Sequence, residues 1–200
     1  MADLIEEFVD YINSDESLNN GCVLEFGTGG GHSTARIASR TPRIIHTYDG
    51  FSGLPKTNKG IPVGTGWYEG ALFFDEQQAR NYLAEYKHVQ IHKCLTFDLK
   101  EPHEYGISKI CAVNIDVDLY EGTVDALRFA DKCEWDTIYI RFDDWGYYKE
   151  FQIKEQVDAH EKAAFYEWLD ETGYEAGTND ELNARSEEHQ VIFKVTRNVK

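Results

Sequence analysis

The sequence is poor in basic residues and lacks the patterns that mark nucleic-acid-binding and membrane proteins. Its 20 Lys and Arg residues stand against 36 Asp and Glu residues, which gives a formal net charge of −16. Because duplex binding and adhesion to anionic lipid depend largely on Lys and Arg, neither nucleic acid nor membrane is an expected partner. No apolar run approaches the ~18–20 residues that span a bilayer.

Closely spaced cysteines are also missing. The cysteines are four in number and widely separated, and no C-x-x-C pair occurs. This spacing is not typical of a zinc site or a disulfide framework. The acidic, amphipathic N-terminal residues do not resemble a signal peptide, so we expect a cytoplasmic protein. The length of 200 residues suits a single domain over residues 1–200.

Short apolar runs alternate with amphipathic segments along the whole chain, as is typical of an α/β fold. Because strand–helix–strand units build parallel sheets, we expect a mainly parallel sheet with helices on both faces. The last predicted strand follows a long helix and suggests one antiparallel edge. The predicted strands are 22–26, 44–48, 89–94, 110–115, 137–142 and 190–195, and the predicted helices are 4–12, 33–38, 75–86, 120–130 and 155–171.

A glycine-rich loop follows the first predicted strand, with the sequence E-F-G-T-G-G-G over residues 25–31. Glycines allow a sharp turn and a close approach of the backbone to a ligand, and the helix that follows offers free N–H groups. A tight strand-to-helix turn alone would need fewer glycines. His32 stands where the dinucleotide fingerprint has its third glycine. The loop instead matches E-x-G-x-G-x-G, which resembles the first motif of class I S-adenosylmethionine-dependent methyltransferases.

An acidic residue, Asp49, ends the second predicted strand about twenty residues beyond the loop, where a carboxylate can accept both ribose hydroxyls. This position fits adenosylmethionine and NAD alike, and a simple turn cap is the structural alternative. Leu95, Thr96 and Phe97 follow the third predicted strand and are expected near the adenine. The long segment 49–72, rich in Gly and aromatic residues, is predicted to be a functional loop.

Two pairs of carboxylates end the fourth and fifth predicted strands. Alternation along an extended strand predicts that Asp116 and Asp118 share one face, and Asp143 and Asp144 follow the neighbouring strand. Carboxylates gathered at one sheet edge repel one another unless they are protonated or bridged by a cation. Oxygen ligands suit a hard cation such as Mg²⁺. The alternative is that these residues cap the helices that follow.

Together these motifs resemble those of the macrocin O-methyltransferase-like family. Its members are metal-dependent O-methyltransferases of sugars and small molecules. The most distinctive is D-x-F-x-G-L-P at residues 49–55, and the likeness covers residues 23–145. Two positions depart from the family pattern, Ser52 in place of Glu and Gly122 in place of Ser. The segments that carry the likeness are 25–31, 49–55, 116–121 and 143–145.

The resemblance implies a seven-stranded Rossmann-like methyltransferase sandwich that binds S-adenosylmethionine and Mg²⁺ and methylates a hydroxyl of a sugar, glycoside or related small molecule. It also implies a dimer or larger homo-oligomer. Asp116, Asp143 and Asp144 would ligate the metal, and Asp116 and Asp118 would be the catalytic residues. The candidate cofactor residues are Glu25, Phe26, Gly27, Thr28, Gly29, Gly31, Ser33, Thr34, Asp49, Gly50, Phe51, Leu95, Thr96, Phe97 and Asp116.

Three other functions stay open on the sequence. These are a metal-free methyltransferase acting on nitrogen or a carboxyl group, an NAD-binding oxidoreductase, and a protein that binds adenosylmethionine without catalysis. The acceptor-binding residues are not assigned. The aromatic and histidine candidates are Trp67, Tyr68, Trp145, Tyr147, Tyr148 and His160.

Overall fold

The computed structural model describes residues 4–18, 20–57, 67–145, 160–178 and 190–197. They form a seven-stranded sheet in the order β3-β2-β1-β4-β5-β7-β6. The first five strands are parallel, and β7 pairs antiparallel with both β5 and β6. The strands are β1 Cys22–Phe26, β2 Ile45–Asp49, β3 Val89–Lys93, β4 Ile110–Ile115, β5 Thr137–Phe142, β6 Glu175–Thr178 and β7 Val191–Thr196.

The helices cover both faces of the sheet, as predicted. One face packs against α1 and α2, and the other packs against α4 and α5. β4 is buried at every position because it lies at the centre of the sheet between these layers. The helices are α1 Ile5–Ser14, α2 His32–Ala38, α3 Glu76–Tyr82, α4 Tyr120–Asp131 and α5 Glu161–Thr172, with single 3₁₀ turns at Thr96–Asp98 and Pro102–Tyr105.

The strand order reverses at β1, which lies between β2 and β4. In open α/β sheets this reversal opens a crevice at the carboxyl ends of the strands, where ligands bind. Asp49 and the residues just after Phe26 and Ile115 therefore meet at this crevice. The fold thus brings the three sequence motifs to one edge of the sheet.

The sequence did not locate one strand and misplaced some element ends. β6 is exposed at all of its positions and has no apolar alternation, so no pattern marked it. The predicted helix 75–86 ends as an α-helix at Tyr82 and continues as turns. Of the predicted helix 155–171, residues 155–159 lie outside the described part of the chain. Within the described residues, no helix has the length and apolar character needed to cross a membrane.

Candidate active site

A cleft of about 490 Å³ opens at the carboxyl ends of the parallel strands. Its walls come from the glycine loop after β1, the ends of β2 and β3, and the residues after β4 and β5. This volume falls within the range of ligand pockets in proteins. The cleft therefore lies where the fold predicts a binding site, and it is lined by residues from every motif that the sequence analysis selected.

The glycine loop depends on backbone conformations that side chains resist. Gly27, Gly29 and Gly31 all have positive φ angles, of 97°, 51° and 87°. A Cβ atom on Gly27 would lie 1.8 Å from the carbonyl oxygen of Asp116. Gly31 is the N-terminal cap of α2. The loop thus passes directly against the end of β4 and presents its backbone to the cleft.

Asp49 holds this loop in place from the neighbouring strand. Its Oδ2 accepts a hydrogen bond from the Gly29 N–H at 2.8 Å, and its Oδ1 accepts one from the Phe51 N–H at 2.7 Å. Asp49 also lines the cleft. This position allows the predicted role of Asp49 in binding the ribose. The hydrogen bond from Phe51 is the one expected from the alternative, in which Asp49 caps the turn after β2. The structure therefore gives Asp49 a second task, the support of the glycine loop.

Glu25 lies beneath the loop and is fully buried. Gly31 is the cap of α2, so the hydroxyls predicted to begin the helix point to Glu25 instead. Burial raises the pKa of Glu25, and the hydrogen bonds to it oppose that shift. Glu25 therefore acts as a structural anchor for the loop. Its carboxylate accepts hydrogen bonds from Ser33 Oγ at 2.8 Å, Thr47 Oγ1 at 2.8 Å, Asn114 Nδ2 at 3.1 Å, and Thr34 Oγ1.

The predicted cofactor residues divide into two groups in the structure. Phe26 packs in the core, stacked on Tyr48 at 5.1 Å, and Phe97 is 61% exposed away from the cleft. The predicted residues that line the cleft are Gly27, Thr28, Gly29, Ser33, Asp49, Gly50, Leu95, Thr96 and Asp116. Those that do not line it are Glu25, Phe26, Gly31, Thr34, Phe51 and Phe97.

Three carboxylates converge where the cleft reaches the end of β4. One oxygen of each of Asp116, Asp118 and Asp144 lies within 4.8 Å of the others. The alternation expected for a strand through Asp118 is wrong, because β4 ends at Ile115 and Asp118 has a φ angle of 60°. A non-glycine residue in this left-handed region is uncommon and is often found at functional sites. This turn, rather than strand alternation, brings the two aspartates together.

Asp143 has a different environment from its neighbour Asp144. Its Oδ1 accepts hydrogen bonds from the fully buried Arg141 guanidinium at 2.5 Å and from Gln190 Nε2 at 2.9 Å. Asn114 Oδ1 accepts a further hydrogen bond from Arg141 at 2.6 Å. Asp143 still lines the cleft, but it is not a member of the three-carboxylate cluster.

The crowding and burial of the acidic side chains in this cluster disfavour their charged forms. Burial, followed by the charge of Asp143, raises the pKa of Asp118 to about 7. Burial and the neighbouring carboxylates also raise the pKa of Asp116 and of Asp144 well above the usual range. Asp144 Oδ2 and Glu161 Oε1 are buried and have no hydrogen-bond partner among the described residues. Buried oxygens of this kind match the donor set of a hard divalent cation.

Sequence reasoning missed Glu161 at this site. It is the first residue of α5, it is fully buried, and its Oε2 accepts a hydrogen bond from the Asp144 N–H at 3.0 Å. Glu161 lies 17 positions after Asp144 in the sequence, so no local sequence pattern connects the two residues. A glutamate at the start of a helix normally indicates only a favourable interaction with the helix dipole.

The described aromatic and histidine candidates for acceptor binding differ in exposure, and none of them lines the cleft. Tyr68 is 64% exposed, whereas Trp67 and His160 are at most 7% exposed. Trp145 packs on the rings of Phe142, Phe165 and Phe193. Tyr147 and Tyr148 lie outside the described residues. Apolar residues that were not among the predicted acceptor candidates line the cleft instead, and they are Ile5, Leu54, Pro55, Leu72, Phe74, Val117 and Leu119.

No protein-family model and no curated protein matches the sequence. Solved structures do match. The O-methyltransferase NovP superimposes with a TM-score of 0.66 at 19% identity, covering 97% of this chain and 78% of NovP. The calicheamicin methyltransferase CalS11 superimposes with a TM-score of 0.61 at 17% identity, covering 84% of this chain and 68% of CalS11.

Similar structures also include a fibrillarin and an rRNA methylase. Aeropyrum pernix fibrillarin with natively bound S-adenosyl-L-methionine has a TM-score of 0.52 at 10% identity, covering 90% of this chain and 68% of the fibrillarin. An rRNA methylase from Streptococcus thermophilus is among the matches as well. Identities this low establish the fold alone. The chain therefore has the Rossmann-like methyltransferase fold, with a seven-stranded and mainly parallel sheet.

Proposed function

We propose that the protein is an S-adenosylmethionine-dependent O-methyltransferase that uses a divalent cation, most simply Mg²⁺. Its acceptor is a hydroxyl of a sugar, glycoside or related small molecule. One observation carries the proposal: Asp116, which belongs to the cluster with Asp118 and Asp144, lies against the glycine loop, and Asp116 and Asp118 line the same cleft as the loop. A methyl donor on the loop and a cation on the cluster would therefore be neighbours.

The glycine loop and Asp49 would bind the cofactor. The loop supplies backbone N–H groups at the start of α2, where the helix dipole favours a carboxylate such as that of the methionine group. Asp49 lies at the end of β2, where a carboxylate can accept the ribose hydroxyls. Leu95 and Thr96 line the cleft after β3 and would contact the adenine. The similar fold of a fibrillarin that binds S-adenosylmethionine supports this choice of cofactor.

Asp116, Asp118 and Asp144 fit a hard cation because their oxygens converge and one oxygen of Asp144 is buried without a partner. Asp143 was expected to be a ligand from the resemblance. Its ion pair with Arg141 instead gives it a position at the edge of the cluster. We therefore propose that Asp116, Asp118 and Asp144 hold the cation. Asp143 would add negative charge beside the site without binding the cation directly.

A bound divalent cation would lower the pKa of an acceptor hydroxyl, and the sulfonium group would supply the methyl. The residues of the chain would orient the two reactants and accept the proton. Asp116 is the proposed base, since it lines the cleft and contacts the loop, and Asp118 lies beside it. Positioning of donor and acceptor in line would provide much of the rate acceleration.

A small acceptor agrees with the charges of the protein. The net charge of −16 and the aspartates in the cleft oppose the approach of a polyanion such as RNA. NovP and CalS11, an O-methyltransferase and a calicheamicin methyltransferase, have similar folds and so support an O-linked, small-molecule acceptor. An rRNA methylase also has a similar fold, but the net negative charge of this chain argues more strongly against RNA as the acceptor.

The test is transfer of labelled methyl groups from S-adenosylmethionine to a panel of hydroxylated sugars, glycosides and phenols. We expect transfer that stops in EDTA and returns with added Mg²⁺. Asp116→Asn should abolish most turnover, whereas Asp170→Asn, on the exposed face of α5, should leave it unchanged. Full activity in EDTA would contradict the cation and favour a metal-free methyltransferase.

A further inference from the structure

Glu161 is a buried acid that the proposed chemistry does not use. Ala164, Phe165 and Trp168 pack α5 into the core, which places the first residue of the helix behind the end of β5. No part of Glu161 reaches solvent. The helix thus delivers a carboxylate to the rear of the three-aspartate cluster.

The two oxygens of Glu161 have different surroundings. Oε2 accepts the hydrogen bond from the Asp144 N–H at 3.0 Å, and Oε1 is buried with no hydrogen-bond partner among the described residues. A single backbone N–H could be satisfied by a neutral acceptor. An apolar side chain at this position would instead leave the buried Asp144 N–H without a partner, which is costly.

The contact with Asp144 also fixes the direction of that residue. Asp144 follows β5 by two residues and is itself 7% exposed. Its backbone N–H is held by Glu161, so its side chain is presented to Asp116 and Asp118. Groups that orient metal ligands typically change metal affinity by about 10–100-fold when they are removed.

We infer that Glu161 is a positioning residue for the divalent cation, acting through the backbone of Asp144. This inference rests on the proposed cation site and adds to it a residue from a separate element, α5. It gives the start of α5 a task in the site besides packing. It also explains why a hydrogen-bond acceptor is retained at this buried position, where an apolar residue would pack more favourably.

Two conservative variants separate the hydrogen bond from the charge. Glu161→Gln keeps an acceptor for the Asp144 N–H and removes the charge. Glu161→Asp keeps the charge, but its side chain is one methylene shorter, so the acceptor oxygen moves away from the Asp144 N–H. Glu171→Gln, on the exposed last turn of the same helix, is the matched control. All four proteins are stripped with EDTA, checked for folding by thermal denaturation, and titrated calorimetrically with MgCl₂ and with MnCl₂.

We expect Glu161→Asp to weaken cation binding by about 10–100-fold. Glu161→Gln should stay within about threefold of the wild-type protein, and the control should be unchanged. S-adenosylhomocysteine affinity should be equal in all four, because the glycine loop does not contact Glu161. Wild-type affinity in both variants would overturn the inference and leave Glu161 a packing residue. A larger loss in Glu161→Gln than in Glu161→Asp would also overturn it, since the charge rather than the hydrogen bond would then matter.

The controls also separate this inference from the proposed function. If the wild-type protein binds S-adenosylhomocysteine but neither cation, the cation site fails, and the role of Glu161 fails with it. If the wild-type protein binds the cations and the variants bind them equally well, the proposed function stands and only the inference fails.

Discussion

Gly27 lies directly against Asp116, and a Cβ atom at Gly27 would come within 1.8 Å of the Asp116 carbonyl oxygen. The N–H of Asp116 in turn donates to the carbonyl of Phe26 at 2.9 Å. This contact joins the end of β1 to the end of β4. It therefore fixes the distance between the glycine loop and the acidic cluster.

Replacing this glycine should damage the protein by two separate effects. Gly27→Ala adds both a clash and a strained positive φ angle, whereas Gly106→Ala adds only the strain, since nothing lies within 4 Å of its Cβ position. We expect a loss of about 1–2 kcal/mol in unfolding free energy for Gly106→Ala. Gly27→Ala should lose more than about 3 kcal/mol. Urea denaturation measures both, and equal losses would contradict the close contact.

Most of the fold could be predicted from the sequence because its elements carry strong local patterns. β4 is apolar along most of its length, and α1 buries Ile5, Phe8, Val9 and Ile12 at helical spacing. Because the strands alternate with helices, they are expected to be parallel, and their carboxyl ends are expected at one edge of the sheet. The motifs at 25–31 and 49–55 could be placed at one edge of the sheet for the same reason.

The rest depended on contacts between residues distant in sequence. Glu161 reaches Asp144 only through the packing of α5, and the separation of Asp143 from the cluster depends on Arg141 and Gln190. The turn at Asp118 has no signal in the sequence, because aspartate in the left-handed region is uncommon. These three features decide which aspartates face one another.

Cation binding should be visible as thermal stabilisation. Because a ligand that binds only the folded protein stabilises it, Mg²⁺ at a tenfold excess over its Kd should raise the unfolding free energy by about 1.4 kcal/mol. Asp144→Asn should lose most of this stabilisation and, in EDTA, should be at least as stable as the wild-type protein. Differential scanning calorimetry with and without Mg²⁺ tests this. Equal stabilisation of Asp144→Asn and the wild-type protein would exclude Asp144 as a ligand.

A pair of histidines away from the cleft should make stability depend on pH. His46 Nδ1 lies 3.0 Å from His92 Nε2, and the two rings are stacked. Burial, followed by the charge of His92, lowers the pKa of His46 to about 4. The unfolded chain therefore binds a proton at a higher pH than the folded protein does. The contribution of His46 to stability is complete above its ordinary pKa of 6.5 and is lost as the pH falls towards 4.

Between pH 6.5 and pH 4, we expect the loss of the His46 contribution to lower the unfolding free energy by about 2–3 kcal/mol. His46→Gln, which cannot titrate, should lose correspondingly less stability between the two pH values. His103→Gln, at an exposed position, should behave like the wild-type protein. Urea unfolding at a series of pH values gives the comparison, and parallel curves for wild type and His46→Gln would show that His46 does not titrate as proposed.

The most direct test of the central claim is calorimetric titration of the folded protein with S-adenosylhomocysteine. We expect one site per chain, and a loss of about 1.5–3 kcal/mol in binding free energy for Asp49→Ala, because charge-assisted hydrogen bonds are removed. Asp136→Ala, exposed before β5 and away from the cleft, should bind as the wild-type protein does. No heat of binding at millimolar ligand, with the protein shown to be folded, would contradict the account.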